Sequence, residues 1–193
     1  MILGLVSVIL IPKEMEPKQI IQLFDDYLAK NGEQFEATCI GGSALALLGV
    51  ITRETQDCDI LVPPIPARVK ELSVEFAKLS FQSGTPLKSD WLNNGPASLV
   101  RDLPTGWEKN SQILFEGRAI KFVTLSRTDL IRSKLYALCD RAIDRADCLA
   151  LAPSRDELSE IPPWLEERDG NPLWPNHVRD TVAELAKTLV YEL

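Results

Sequence analysis

Histidine is almost missing from this chain: His177, close to Pro172 and Pro175, is the single one in 193 residues. A Ser-His-Asp or Cys-His mechanism would have to rest on it alone, so both are set aside and His177 reads as a surface residue. Cysteine is sparse too. Cys39, Cys58, Cys139 and Cys148 lack Cys-x-x-Cys spacing and sit among apolar neighbours, which points to reduced core thiols of a cytoplasmic protein and away from a zinc site. Positive charge is in deficit, with 21 Lys and Arg against 28 Asp and Glu and a formal net charge of -7. That balance argues against a general polyanion binder, so any nucleic-acid contact must be local. Nor is there a hydrophobic run of membrane length at the start. Residues 1–11 are apolar and stop at Pro12, too short to span a bilayer, without a basic leader or a small-residue cleavage site, and they read as an edge strand or a disordered extension. No membrane partner is expected, and no internal repeat or low-complexity tract is present.

What is there suits one compact domain, or a domain with a helical appendage: 45% hydrophobic and 25% charged residues are ordinary globular values. Ile20, Ile21, Phe24, Tyr27 and Leu28 recur at helical spacing and predict a helix over 17–30. A strand over 35–40, a short helix from Ser43 stopping at Gly49, a strand over 57–62 and a helix over 67–79 follow. Residues 80–106 read as loops around short strands at Phe81 and 98–103, and 113–115 with 119–125 as a hairpin about Glu116-Gly117. Ser126 or Thr128 caps a long helix predicted to run unbroken to Leu151, with further helices over 156–168 and 176–191. The class is α/β with a helical C-terminal part; the seam is placed at Ser126, dividing the chain into 1–125 and 126–193.

Two features carry chemistry. In an extended strand Asp57 and Asp59 share one face while Cys58 and Ile60 share the other. Paired carboxylates raise each other's pKa unless a cation lies between them, so the arrangement suggests a divalent metal or a nearby Arg or Lys. Upstream, Gly41-Gly42-Ser43 links a strand end to a helix start. Glycines there let backbone N–H groups approach an anion, and the Ser43 hydroxyl adds a donor. Each half alone is weakly specific, since such turns and strand-end aspartates are common; in this order and at this spacing they are far more so.

Gly41-Gly42-Ser43 followed by Arg53-x-Thr55-x-Asp57-x-Asp59 resembles the signature of the DNA-polymerase-beta-like nucleotidyltransferase superfamily. Ser126-x-x-Asp129-Leu130-x-x-x-Lys134-Leu135-x-Ala137, then Arg141, Arg145 and Asp147, resembles the C-terminal pattern of the abortive-infection type nucleotidyltransferase toxins and their uncharacterised relatives. The resemblance implies a mixed sheet flanked by helices, a nucleoside triphosphate substrate, Mg²⁺, and transfer of a nucleoside monophosphate with loss of pyrophosphate. Carried over, Gly41, Gly42, Ser43 and Arg53 are the nucleotide-binding residues, Asp57 and Asp59 hold metal, and Lys134 joins them as the catalytic lysine that contacts phosphate. For the toxin-like branch the acceptor would be RNA, tRNA included, or a protein, and an antitoxin protein would be a partner.

The chain departs from the pattern at one place. Many active members carry a third carboxylate on a later strand, and the strand nominated here, 119–123, offers Lys121; Glu116 lies beside the hairpin turn. That departure motivates a rival reading as a catalytically inactive binding protein, and the acidic surface motivates a third, transfer to a cationic small molecule such as an antibiotic. On an unbroken helix Asp147, thirteen residues after Lys134, projects roughly 140° away from it, so only Lys134 is expected in the site. Residues 118–145 hold seven Lys or Arg against three Asp, a local positive segment where a short RNA end could sit, although Arg141 and Arg145 read first as a solvated face pairing with Asp140 and Asp144. Trp91, Trp107, Trp164 and Trp174 read as packing under loops.

Overall fold

The computed structural model describes residues 16–52, 55, 57–82 and 86–191. The apolar run at residues 1–11 and Arg53 lie outside the described residues. Among the described residues five strands form one mixed sheet: β1 (Phe35–Ile40), β2 (Cys58–Val62), β3 (Leu92–Asn93), β4 (Gln112–Glu116) and β5 (Ile120–Thr124), in the order β3-β2-β1-β5-β4. β1 is antiparallel to β2 and parallel to β5, so the central strand meets a different pattern on each side. Helices flank the sheet, and a helical C-terminal part completes an α/β fold.

Strand alternation divides the core. Phe35, Ala37 and Cys39 of β1 and Cys58 and Ile60 of β2 face α1 (Pro17–Lys30) and α3 (Ala67–Gln82), where Phe24, Leu28, Leu72, Phe76 and Trp91 fill the interior. Ile40 and Leu61 point the other way, into a second cluster built with the helices after β5. Each strand residue therefore has its face assigned by its parity. The four tryptophans pack as the sequence suggests: Trp91, Trp107 and Trp174 are buried, and half-buried Trp164 donates its indole N–H to the Asp102 carbonyl at 3.1 Å. All four cysteines are free and buried, and burial lifts the thiols of Cys139 and Cys148 to about 11 and about 12.

α1 contributes a buried staple. Asp25, 0% exposed, accepts hydrogen bonds from the backbone N–H groups of Arg118 (2.9 Å), Ala119 (2.8 Å) and Ile120 (2.7 Å) at the β4–β5 turn. A Cβ on Gly117 would collide with that carboxylate, so the turn needs glycine for space.

Several predicted elements are corrected. Phe81, expected in a strand, ends α3, and 98–103 is a 3₁₀ turn at Gly95–Arg101 followed by loop. Pro96 in its first turn suits a helical start, and the Asn93 and Asn94 side chains accept from Gly95 and Ile65 N–H. The long helix is two: α4 (Arg127–Arg141) and α5 (Arg145–Leu151), separated where Ala142 (φ 54°) and Asp144 (φ 67°) turn left-handed. Neither is glycine, so no local breaker announces the bend; it brings Cys148 and Leu151 onto the second cluster. The helix expected over 156–168 is also divided, into α6 (Arg155–Glu160) and α7 (Pro162–Glu166), because Pro162 and Pro163 lack the N–H to continue it but suit a new first turn. α8 (Trp174–Thr188) closes the chain. Among the described residues no helix is long and apolar enough to cross a membrane.

Candidate active site

β1 ends at Ile40, and the chain turns at once into α2 (Gly41–Leu47). The turn requires Gly41. Its φ is +77°, and a Cβ there would run into Asp59 Oδ2, since Ile40 pairs with Asp59 across the ladder. The glycine thus lets the backbone close against the Asp59 carboxylate, near the start of β2. Asp57 and Asp59 stand on the sheet face turned toward α4, with Leu61 further along the same face entering the second cluster.

Between this strand end, the 95–101 turn and α4 lies a cleft of about 910 Å³. Gly41, Gly42, Asp57, Asp59 and Lys134 all line it, so residues from two distant stretches of sequence meet there. Ser43 does not line it. Its hydroxyl is buried on the opposite face, donating to the Ile40 carbonyl at 3.3 Å and lying 3.4 Å from Cys39 Sγ. The expected phosphate donor is occupied inside the core because the α2 start turns its side chain under the sheet.

Asp59 and Asp57 are both half-buried. Burial pushes the Asp59 carboxyl above the ordinary 3.8; the Asn93 amide, donating to Oδ1 at 3.1 Å, opposes this, the charge of Asp57 adds to it, Lys134 opposes it and Asp144 adds to it. Asp57 is more open and pairs with Lys88 at 3.2 Å. Lys134 is 6% exposed; its Nζ lies 2.7 Å from Asp147 Oδ2 and 3.4 Å from Asp144 Oδ2. The break after α4 therefore reverses the helical-wheel expectation: Asp147 turns back onto Lys134. Asp147 itself is 1% exposed and sits behind the lysine, whereas Asp144 lines the cleft.

Sequence reasoning missed Lys88, Arg101 and Asp144 as cleft-lining residues and Asn93 as the hydrogen-bond partner of Asp59. Asn93 had a signal in Asn93-Asn94-Gly95-Pro96, a cluster of turn formers in an otherwise unassigned loop. Asp144 had none, since it was read on a solvated helix face; Arg145 instead pairs with Glu184 at 3.4 Å, while Arg141 keeps Asp140 at 3.7 Å. The strand position nominated for a third carboxylate is also resolved. Lys121 pairs with Glu36 and Glu116 near the beginning of β1, far from the Ile40 end. The register Thr38↔Val123 puts buried Leu125 level with Ile40, so β5 supplies no acid there. The positive segment disperses: Arg127 pairs with Glu157, Arg132 with Asp129, and Lys134 is enclosed by aspartates. His177 lies outside the cleft, its Nε2 2.8 Å from the Cys139 carbonyl.

A glycine turn, two carboxylates at the start of a strand and a buried lysine on the same cleft form an arrangement able to hold a phosphate chain and a divalent cation together. Among the described residues no cluster of three or more His, Cys, Asp or Glu could hold a metal by itself. Neither the curated proteins nor the solved structures contain a match to this chain. A family model described as a nucleotidyltransferase of unknown function (DUF6036) matches residues 18–152, from α1 through α5, and includes every residue of the cleft. Covering more than half of the sequence, that match establishes that the chain belongs to the DUF6036 family of nucleotidyltransferases.

Proposed function

We propose that this chain is a metal-dependent nucleotidyltransferase of the abortive-infection toxin type, moving a nucleoside monophosphate from a nucleoside triphosphate to an RNA end or a protein hydroxyl. The observation that carries this reading is that Gly41, Gly42, Asp57 and Asp59 share one cleft with Lys134. The residues fit Mg²⁺. That ion is commonly bound by one or two carboxylates with substrate phosphate oxygens and waters completing its shell, so two aspartates lining one cleft suffice. When bound, it would supply charge neutralisation and orientation at the phosphates. Asp57 and Asp59 hold it, Gly41 and Gly42 leave room for the triphosphate to approach the backbone, and Lys134 places a positive charge opposite. Arg53 stands as a proposed contact to the triphosphate. An antitoxin that covers the cleft and a cytoplasmic setting belong to the same proposal.

One feature favours a different acceptor. Among the described residues the cleft is lined by five aspartates (Asp57, Asp59, Asp102, Asp140, Asp144) against four cations (Lys88, Arg101, Lys134, Arg141), a balance that would suit a cationic small molecule better than a long polyanion. The test offers each α-labelled nucleoside triphosphate with Mg²⁺ to total RNA, to a protein extract and to an aminoglycoside. Label in RNA or protein that disappears in Asp57→Asn and Asp59→Asn supports the proposal. Label in the aminoglycoside alone selects the small-molecule reading, and absence of any transfer or pyrophosphate release leaves the inactive binding protein.

A further inference from the structure

We propose that Asp144 is the carboxylate that activates the acceptor, taking the place of the acid that β5 does not supply. This rests on the nucleotidyltransferase reading of the same cleft. Three observations on the helical wall converge. Asp144 lines the cleft that Asp57 and Asp59 line. It is the N-cap of α5, its carbonyl accepting from Cys148 N–H at 2.9 Å, yet its carboxylate makes no capping hydrogen bond to the helix it starts. An aspartate at that position ordinarily turns its side chain back onto the helix; here the side chain is left for the cleft.

The nearby cation is already matched. Lys134 Nζ sits 2.7 Å from Asp147 Oδ2, whose side chain is 2% exposed, and 3.4 Å from Asp144 Oδ2, whose side chain is 21% exposed. Asp147 is the close, enclosed partner that holds the ammonium in place. Asp144 is the looser and more accessible one, so the ion pair orients it without consuming it. Its backbone adds a further point: at φ 67° a glycine would be the least strained residue, and the chain carries a carboxylate there.

Asp144 lines the same cleft as the two strand-end aspartates, and among the described residues no three carboxylates form a cluster that could hold a metal, so its chemistry is assigned to the acceptor. In the proposed step the acceptor O–H gives its proton to the Asp144 carboxylate while the oxygen forms a bond to the α-phosphorus. The bond from the α-phosphorus to the bridging oxygen breaks, pyrophosphate leaves with that electron pair, and the proton passes from Asp144 to solvent.

The full chain is tested as wild type, Asp144→Asn, Asp144→Gly and, as control, Asp59→Asn. Asparagine and glycine both accept the left-handed backbone, so each variant should fold, and Asp144→Gly should melt no lower than Asp144→Asn. Binding is read by calorimetry with α,β-methylene nucleoside triphosphates and Mg²⁺, and turnover by pyrophosphate release and label transfer. The expected result is unchanged analogue affinity in both Asp144 variants with turnover lower by roughly 10²–10⁴-fold, while Asp59→Asn loses affinity. Wild-type turnover in either Asp144 variant overturns the assignment and leaves the nucleotidyltransferase reading standing. Parallel loss of affinity and turnover also overturns it, by placing Asp144 in triphosphate binding. Wild-type protein that releases no pyrophosphate with any of the four triphosphates overturns both readings.

Discussion

Asp59 shows how a single side chain carries opposed demands. Burial holds its folded pKa above the ordinary 3.8, with Asn93 and Lys134 opposing the shift. A carboxyl with a raised folded pKa contributes its full stability below the unfolded value and loses it as pH rises through the folded value, so at neutral pH the ionised group costs stability. Asp59→Asn should therefore melt higher than wild type at pH 7 in metal-free buffer, the two curves approaching each other as pH falls toward 3. Asparagine keeps an oxygen for the Asn93 amide. A lower melting temperature for Asp59→Asn at pH 7 would show that the carboxylate is stabilising as it stands. Gly41 has no such latitude. Gly41→Ala adds a Cβ that meets Asp59 Oδ2 at φ +77°; about 1–2 kcal/mol of stability should be lost to the left-handed backbone alone, and triphosphate turnover should fall with it. An alanine variant with wild-type melting and turnover would mean that the turn relaxes freely.

Among elements, the α4–α5 corner and the Asp25 staple hold the most. Lys134→Met would leave Asp147 enclosed without its 2.7 Å partner, a change that typically costs about 3–5 kcal/mol. Adding Asp147→Leu should recover most of that loss without restoring turnover, because an apolar pair can replace a buried ion pair in packing but not in charge. Denaturant melts of the single and double variants decide it; additive losses would mean that the two side chains do not depend on each other. At the other end of the sheet, Asp25→Ala would strand three backbone N–H groups of the β4–β5 turn. A loss of about 3–5 kcal/mol is expected, with hydrogen exchange accelerating first at 118–120.

At the scale of the whole molecule, the family match stops at residue 152 while the second core cluster does not. Leu158, Ile161, Leu165, Trp174, Val178, Val182 and Leu185, all from α6–α8, pack with Leu130, Ile131, Leu135 and Leu138 of α4. α4 is also the helix that presents Lys134 to the cleft. A chain ending at residue 152 should expose that apolar face, aggregate or melt without a cooperative transition, and lose triphosphate binding although every cleft residue is present. A soluble truncation with a sharp melt and intact binding would show that residues 153–193 serve something other than support.

The sequence by itself determined the elements whose pattern is local. The helix at Pro17–Lys30, the strands at Phe35–Ile40 and near Asp57–Val62, and the β4–β5 hairpin follow from periodicities of 3.6 and 2. So did the common face of Asp57 and Asp59, because parity in a strand needs no partner. Only the tertiary structure decided what depends on residues far apart. The helix ends at Ala142 without glycine or proline because the return of α5 buries Cys148 and Leu151 and closes Asp147 onto Lys134. The Ser43 hydroxyl turns inward because the start of α2 is set against β1 and β2. Lys88 and Asp144 reach the cleft, and Asn93 reaches Asp59, from a loop, a helix corner and a two-residue strand whose positions no periodicity encodes. Long-range packing selects among local conformations that differ by only a kcal/mol or so; it is there that the cleft was assembled.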